Sequence, residues 1–237
     1  LKEKICGKCR GSGWIFVETN GHEQARLCDC RRLDVFLAGS EKANIPPRFT
    51  GVELKGYLPD QRHPSQEKAL HIASSFVRDY PAVEGGLLLQ GATGTGKTRM
   101  LCSIANELLK KKLTDILYFD WNDLVRDSKG VDDSGRRDFS GFVNLFQRLA
   151  TVDLLLLDEL GSARLTPWLE ENLFFLVNRR YNTNRVTIFA SNYFDERHEN
   201  DELLVERVGI RVRSRIYEMS KIVLISGLDY RQRYPQS

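Results

Sequence analysis

The chain has 237 residues, 41% of them hydrophobic and 28% charged, with a formal net charge of +3. That length holds one α/β domain with a real core plus a small appendage. No apolar run approaches the ~20 residues of a membrane span and no secretory signal opens the chain, so a cytoplasmic, non-membrane protein is expected; a charge of +3 does not establish nucleic-acid binding unless basic residues cluster locally.

In chain order, cysteines come first. Cys6-Gly7-Lys8-Cys9 forms a C-x-x-C knuckle, and Trp14-Ile15-Phe16-Val17 reads as a strand. Asn20-Gly21 signals a hairpin turn, and the chain returns through Ala25, Arg26 and Leu27 to Cys28-Asp29-Cys30. A hairpin brings Cys6, Cys9, Cys28 and Cys30 together as a tetrahedral Zn²⁺ site of four thiolates. So short a segment cannot bury enough apolar surface to fold alone, and metal ligation offsets that deficit. Disulfides or spare thiols are the alternative reading. His22 sits at the turn tip and is expected to be solvated. The expected layout is a zinc module at 1–34, a linker with a weakly helical start at 35–44, and a larger domain at 45–237.

Ile45-Pro46-Pro47-Arg48-Phe49 opens that domain. Proline restricts the backbone there, so Ile45 and Phe49 form either an apolar wall for an adenine ring or a plain domain-opening turn. Ser65 to Tyr80 reads as an amphipathic helix with Ala69, Ile72, Ala73, Phe76 and Val77 inward.

Gly86-Leu87-Leu88-Leu89-Gln90 is the apolar run of a strand buried on both faces. It leads into Gly91-Ala92-Thr93-Gly94-Thr95-Gly96-Lys97-Thr98, an unbroken G-x-x-x-x-G-K-[ST] loop. Apolar residues at helical spacing follow, from Met100 to Leu109. Strand, glycine-rich turn and helix start are what polyphosphate binding needs: backbone N–H groups converge on the anion and the helix N-terminus adds partial positive charge. Lys97 is placed for the β- and γ-phosphates, and the Thr98 hydroxyl for Mg²⁺. A nucleoside triphosphate ligand is therefore expected.

Ile116-Leu117-Tyr118-Phe119 makes a second buried strand, and Val152 to Leu157 a third that ends in Asp158-Glu159. Carboxylates at the C-terminal edge of a parallel sheet lie where α/β ligands bind. Asp158 is assigned to Mg²⁺ through water, and Glu159 to the attacking water as general base. A fourth strand, Val186 to Ala190, ends in Ser191-Asn192, and Asn192 is placed to hydrogen-bond the water or the γ-phosphate. Ile222 to Ile225 reads as the last strand.

This order of features resembles the AAA+ ATPases, most closely the DnaC/DnaI helicase loaders and the related IstB transposition ATPases. The likeness rests on Ile45–Phe49, Gly91–Thr98, Leu157-Asp158-Glu159-Leu160-Gly161, Ala190-Ser191-Asn192, Val212-Arg213-Ser214-Arg215-Ile216 and Asp229-Tyr230-Arg231. It implies an α/β three-layer sandwich around a central parallel sheet, with ATP and Mg²⁺ as cofactors. With about a dozen residues after the last strand, little or no C-terminal helical lid is expected. The resemblance also implies that Asn192 is sensor 1 and that Arg215 is the finger reaching a neighbouring subunit's γ-phosphate, although Arg207, Arg211 and Arg213 are close by. Arg231 is either a sensor 2-like cation near the phosphates or a surface arginine. The implied partners are a replicative helicase, single-stranded DNA and further copies of the chain. A transposition ATPase acting on duplex DNA with a transposase is the second reading, and a nucleotide-gated adaptor the third.

Arg126, Lys129, Arg136 and Arg137 flank Phe139 and Phe142, a combination suited to tracking phosphates and stacking bases. Phe142, Leu145, Phe146 and Leu149 equally describe a buried helix face. Arg164, Thr166 and Trp168 form a second DNA candidate, the alternative being that Trp168 caps the core below.

Overall fold

Four strands buried along nearly their whole length and a fifth, more exposed one at the edge build a sheet with a core on each face. The structure is a computed structural model that describes residues 6–19, 22–111, 114–123, 139–163, 166–196 and 202–232. It separates into two compact units, 1–42 and 43–237.

In the first unit, β1 (Trp14–Thr19) pairs antiparallel with β2 (His22–Leu27), Trp14 opposite Leu27. Helix α1 (Asp29–Lys42) follows at once. It covers 35–42 of the stretch 35–44 expected as a linker, so the weakly helical start extends to a helix that ends at Lys42. Gly39 and Ser40 are weak helix formers, yet neither interrupts it. Asp29 in the first turn and Lys42 in the last both complement the helix dipole.

The second unit holds α2 (Pro64–Asp79), β3 (Gly86–Gln90), α3 (Lys97–Lys111), β4 (Ile116–Asp120), α4 (Phe139–Thr151) and β5 (Leu154–Asp158). Then come α5 (Pro167–Asn182), β6 (Val186–Ser191), α6 (Leu204–Val208), α7 (Ile210–Met219) and β7 (Ser220–Leu224). The strands form one parallel sheet in the order β4-β5-β6-β3-β7. Leu87, Leu89, Tyr118, Leu154, Leu156 and Ile188 enter one core with α2 and α3, while Leu88, Leu117, Leu155, Leu157 and Phe189 enter the other with α4 to α7. Each such fully buried leucine contributes about 1.5–3 kcal/mol relative to exposure. The result is the three-layer sandwich expected.

Arg180, near the end of α5, is buried at 1% exposure. Its guanidinium donates to Thr187 Oγ1 (2.8 Å) and to the carbonyls of Leu149 (2.8 Å), Val152 (2.9 Å) and Val186 (2.7 Å). Burial pulls its pKa down to about 9, so those four acceptors are what keep the charge tolerable. One side chain thereby ties α4 and α5 to the starts of β5 and β6, and the far ends of those strands carry the site.

Candidate nucleotide site and metal centre

The phosphate-type loop joins β3 to α3 at the C-terminal rim of the sheet. Gly94 (φ +81°) and Gly96 (φ +98°) adopt left-handed backbone that side chains disfavour. A Cβ at Gly94 would lie 2.0 Å from Asp229 Oδ1, and one at Gly96 would lie 3.0 Å from the Tyr57 ring. Lys97 is buried, and its ammonium donates to the carbonyls of Gly91 (2.8 Å) and Ala92 (2.9 Å). Burial lowers its pKa to about 8, against the opposing charges of Glu159 and Asp158, and the Arg231 charge lowers it further. Thr98 is half-buried in the first turn of α3, and Ala92 and Thr93 are exposed.

Asp158 ends β5 almost fully buried. Its Oδ2 accepts from the Tyr118 hydroxyl (2.9 Å) and its Oδ1 from the Glu159 backbone N–H (2.9 Å). Glu159 takes a left-handed backbone (φ 53°), a strained choice for a non-glycine residue, at the point where the chain leaves the strand. Its Oε2 accepts from Asn192 Nδ2 at 3.1 Å. Burial raises the Glu159 pKa and Asp158 adds to it, while Lys97 opposes. Asn192 Oδ1 is buried without a partner among the described residues, a free acceptor beside that carboxylate. The rim thus carries two carboxylates of different environment and a polar strand-end side chain.

The sequence reading overlooked Tyr118 and Asp120. Asp120 stands opposite Asp158 across β4 and β5, and burial followed by Asp158 raises its pKa. The signal was present, since Ile116-Leu117-Tyr118-Phe119-Asp120 repeats the pattern of an apolar run ending in an acid.

Other candidates are placed less centrally. Phe49 is half-buried against the core, with Arg48 stacked 4.5 Å above its ring, whereas Ile45 is fully committed to the core. Arg231 is exposed in the short turn Tyr230–Gln232. Arg215 stacks 4.4 Å from the Tyr181 ring and pairs with Glu218 at 3.4 Å. Arg126, Lys129, Arg136, Arg137 and Arg164 lie outside the described residues. Phe146 and Leu149 are buried and Phe142 and Leu145 pack on the same core, which is the helix-face reading. Trp168, 40% exposed, sets its ring 4.8 Å from that of Phe142 and so covers this face.

In the first unit the hairpin brings the cysteine pairs together. Cys6 Sγ lies 3.8 Å from Cys28 Sγ, Cys9 Sγ lies 3.5 Å from Cys30 Sγ, and all four sulfurs fall within 4.8 Å of one another. Tetrahedral zinc with Zn–S bonds of ~2.3 Å spaces its sulfurs ~3.8 Å apart, so donor set and spacing fit that ion. They do not fit disulfides, whose sulfurs sit ~2.05 Å apart, and all four thiols are free. The knuckle is closed by Arg10 N–H donating to Cys6 O (2.8 Å), and the hairpin base by Cys28 N–H donating to Gly13 O (2.9 Å). Backbone N–H groups of Cys9 and Lys8 hold the Cys6 thiol down at about 7. Hydrogen bonding with Cys9 and Cys28 pushes Cys30 up to about 12.

Among the described residues no helix is long and apolar enough to cross a membrane. Residues 61–236 match the family described as IstB-like ATP binding protein. The chain is similar to the phage-like element PBSX protein XkdC of Bacillus subtilis, at 27% identity over 95% of this chain and 84% of that protein. It is also similar to the replicative helicase loader DnaC of Buchnera aphidicola, at 30% identity over 64% of this chain and 59% of the relative. Among solved structures, one described as the DnaC helicase loader superposes with a TM-score of 0.63 at 30% identity, covering 76% of this chain and 99% of the other.

Proposed function

Because the chain belongs to the IstB-like ATP binding protein family, in the AAA+ group that also holds the DnaC helicase loaders, we propose that it is a cytoplasmic, Mg²⁺-dependent ATPase that loads a replicative helicase onto single-stranded DNA. The observation that carries the ATPase reading is the Asn192–Glu159 bond of 3.1 Å at the rim where Lys97 senses both Glu159 and Asp158.

In this reading the N–H groups of Gly91 to Thr98 hold the triphosphate, and Lys97 exchanges its two loop carbonyls for β- and γ-phosphate oxygens. Thr98 and Asp158 would hold Mg²⁺, which when bound would neutralise phosphate charge. The bonds from Tyr118 and from the Glu159 N–H orient the Asp158 carboxylate. Glu159 takes a proton from the attacking water, and Asn192 keeps its carboxylate in place. Phe49 offers a wall to the adenine ring, and Arg231 adds a cation near the phosphates. An arginine from the next copy, Arg215 being the first candidate, completes the site, so hydrolysis depends on assembly.

The loader reading is supported by the DnaC likeness in sequence and structure, and the four-cysteine unit supplies a helicase-gripping module. The test is recovery of partners on the tagged chain from its source cell, with ATP present. A hexameric helicase, together with tighter binding of single-stranded than duplex DNA at one stated salt concentration, is the expected result. A transposase with duplex preference would overturn it and favour the transposition ATPase, the second reading, which the IstB-like match keeps in play.

Zinc carries its own prediction. The purified chain is expected to hold about one zinc per molecule, and chelation should unfold residues 6–42 while leaving ATP binding intact. Metal analysis with amide exchange on that segment reads the result. A zinc-free chain with full protection at 6–42 would show that the thiols need no metal.

A further inference from the structure

Gln66 lies in the first turn of α2 with 0% exposure, between the half-buried Ser65 and the exposed Glu67. A buried carboxamide must spend its donors and acceptors inside the protein. Its Oε1 accepts from the Asp60 N–H (2.9 Å) and from the Tyr230 hydroxyl (3.0 Å), and its Nε2 donates to Ser226 O (2.8 Å). None of these partners belongs to α2. They come from the loop 57–60 and from the turn 226–230, over 150 residues away in sequence.

Both segments grip the phosphate loop. The Tyr230 N–H donates to Gly94 O (3.0 Å), and the side chain of Asp229 fills the space at Gly94. The Tyr57 hydroxyl donates to Thr95 O (3.2 Å) while its ring covers Gly96. The Tyr230 hydroxyl also reaches Leu58 O (2.6 Å), which joins the two segments to each other. Ser65 adds a parallel tie, its Oγ accepting from the Ser226 N–H (2.9 Å). Arg231 comes next in this turn, its N–H donating to Asp229 Oδ1 (2.9 Å). The Arg231 charge is already felt at Lys97.

We propose that Gln66 is a positioning residue for the nucleotide site: through Tyr230 it holds the turn 226–231 against Gly94, and so sets where Arg231 meets the phosphate end of a bound triphosphate. This rests on the ATPase reading above. Gln66 makes no bond to the phosphate loop itself, so its effect on nucleotide runs through Tyr230 and Arg231.

The test compares ATP and ADP affinity, and steady-state ATP turnover, for the unaltered full chain, Gln66→Ala, Tyr230→Phe, Arg231→Ala and the Gln66→Ala/Arg231→Ala pair. Gln66→Ala and Tyr230→Phe are each expected to weaken ATP binding about tenfold while ADP stays within about twofold, since the outermost phosphate loses its cation. The double variant should bind no worse than Arg231→Ala alone, the non-additivity of residues acting through one contact. Equal losses for ATP and ADP, or losses that add in the double variant, would reduce Gln66 to a packing role. Should Gln66→Ala fail to fold, Tyr230→Phe decides the question, since it removes one hydroxyl and keeps the ring. Failure of the unaltered chain to bind ATP sinks the ATPase reading, whereas binding that these variants leave unchanged sinks only the latch.

Discussion

Glu159→Gln is expected to lower ATP turnover by about 10²–10⁴-fold while ATP affinity stays within about twofold of the unaltered chain. The substitution keeps the shape of the side chain, and an amide oxygen can still accept from Asn192 Nδ2. It also leaves the backbone N–H that holds Asp158 Oδ1 untouched. What disappears is a carboxylate whose proton affinity burial has raised, with Asp158 adding to it, which makes it a stronger base than a solvated glutamate. Single-turnover hydrolysis with a parallel binding titration separates the two effects. Unchanged turnover would remove Glu159 from the chemistry and shift attention to Asp120, which faces Asp158 on this rim. The same variant in the source cell tests the adaptor reading, since an adaptor keeps working and a hydrolysis-driven loader stalls in its ATP complex.

Arg215→Ala is expected to cost about 10³–10⁵ in turnover, and the loss should be reversible in trans. The four candidate arginines differ in how the chain already engages them. Arg207 is buried and spends its guanidinium on Gly161 O (2.6 Å), Ser162 O (2.8 Å) and Glu202 (2.9 Å). Arg213 is paired with Asp195 and stacked 4.0 Å from the Tyr217 ring. Arg211 and Arg215 each lie over one aromatic face at 4.4 Å, Phe174 and Tyr181 respectively. Stacking at such sites is worth ~0.5–1 kcal/mol, and a surface pair such as Arg215–Glu218 ~0–1 kcal/mol. Either is small against the ~4–7 kcal/mol that a finger supplies by that rate factor. Mixing Arg215→Ala chains with Glu159→Gln chains decides the matter. The first supplies an intact pocket and the second an intact arginine, so turnover should return in the mixture. If the mixture stays inactive, Arg215 acts within its own chain; if Arg211→Ala is the variant rescued, the finger is Arg211.

The parts of this protein that were legible beforehand are those written in contiguous residues. The loop Gly91–Thr98 is read from eight adjacent letters because adjacent backbone N–H groups do the binding. The strand over Leu154–Asp158 is legible because burial on both faces demands an unbroken apolar run, and the parallel rim then assigns its final acid. The cysteine pairs were brought together by one hairpin signal, Asn20-Gly21. Helix α1 was not read to its full length, because the weak formers Gly39 and Ser40 look like punctuation in a string and are carried by their neighbours in the helix.

By itself, then, the sequence determined the phosphate loop, the Asp158-Glu159 strand end, the parallel α/β class and the four-thiol cluster, since periodicity and short spacing suffice for each. Only the tertiary structure decided that Asn192 holds Glu159 and that Arg207 and Arg213 are already engaged within the chain. It alone placed Gln66 against a turn over 150 residues downstream. Those outcomes depend on which polar groups folding leaves opposite one another once water is excluded, and no local pattern in the chain encodes such a meeting.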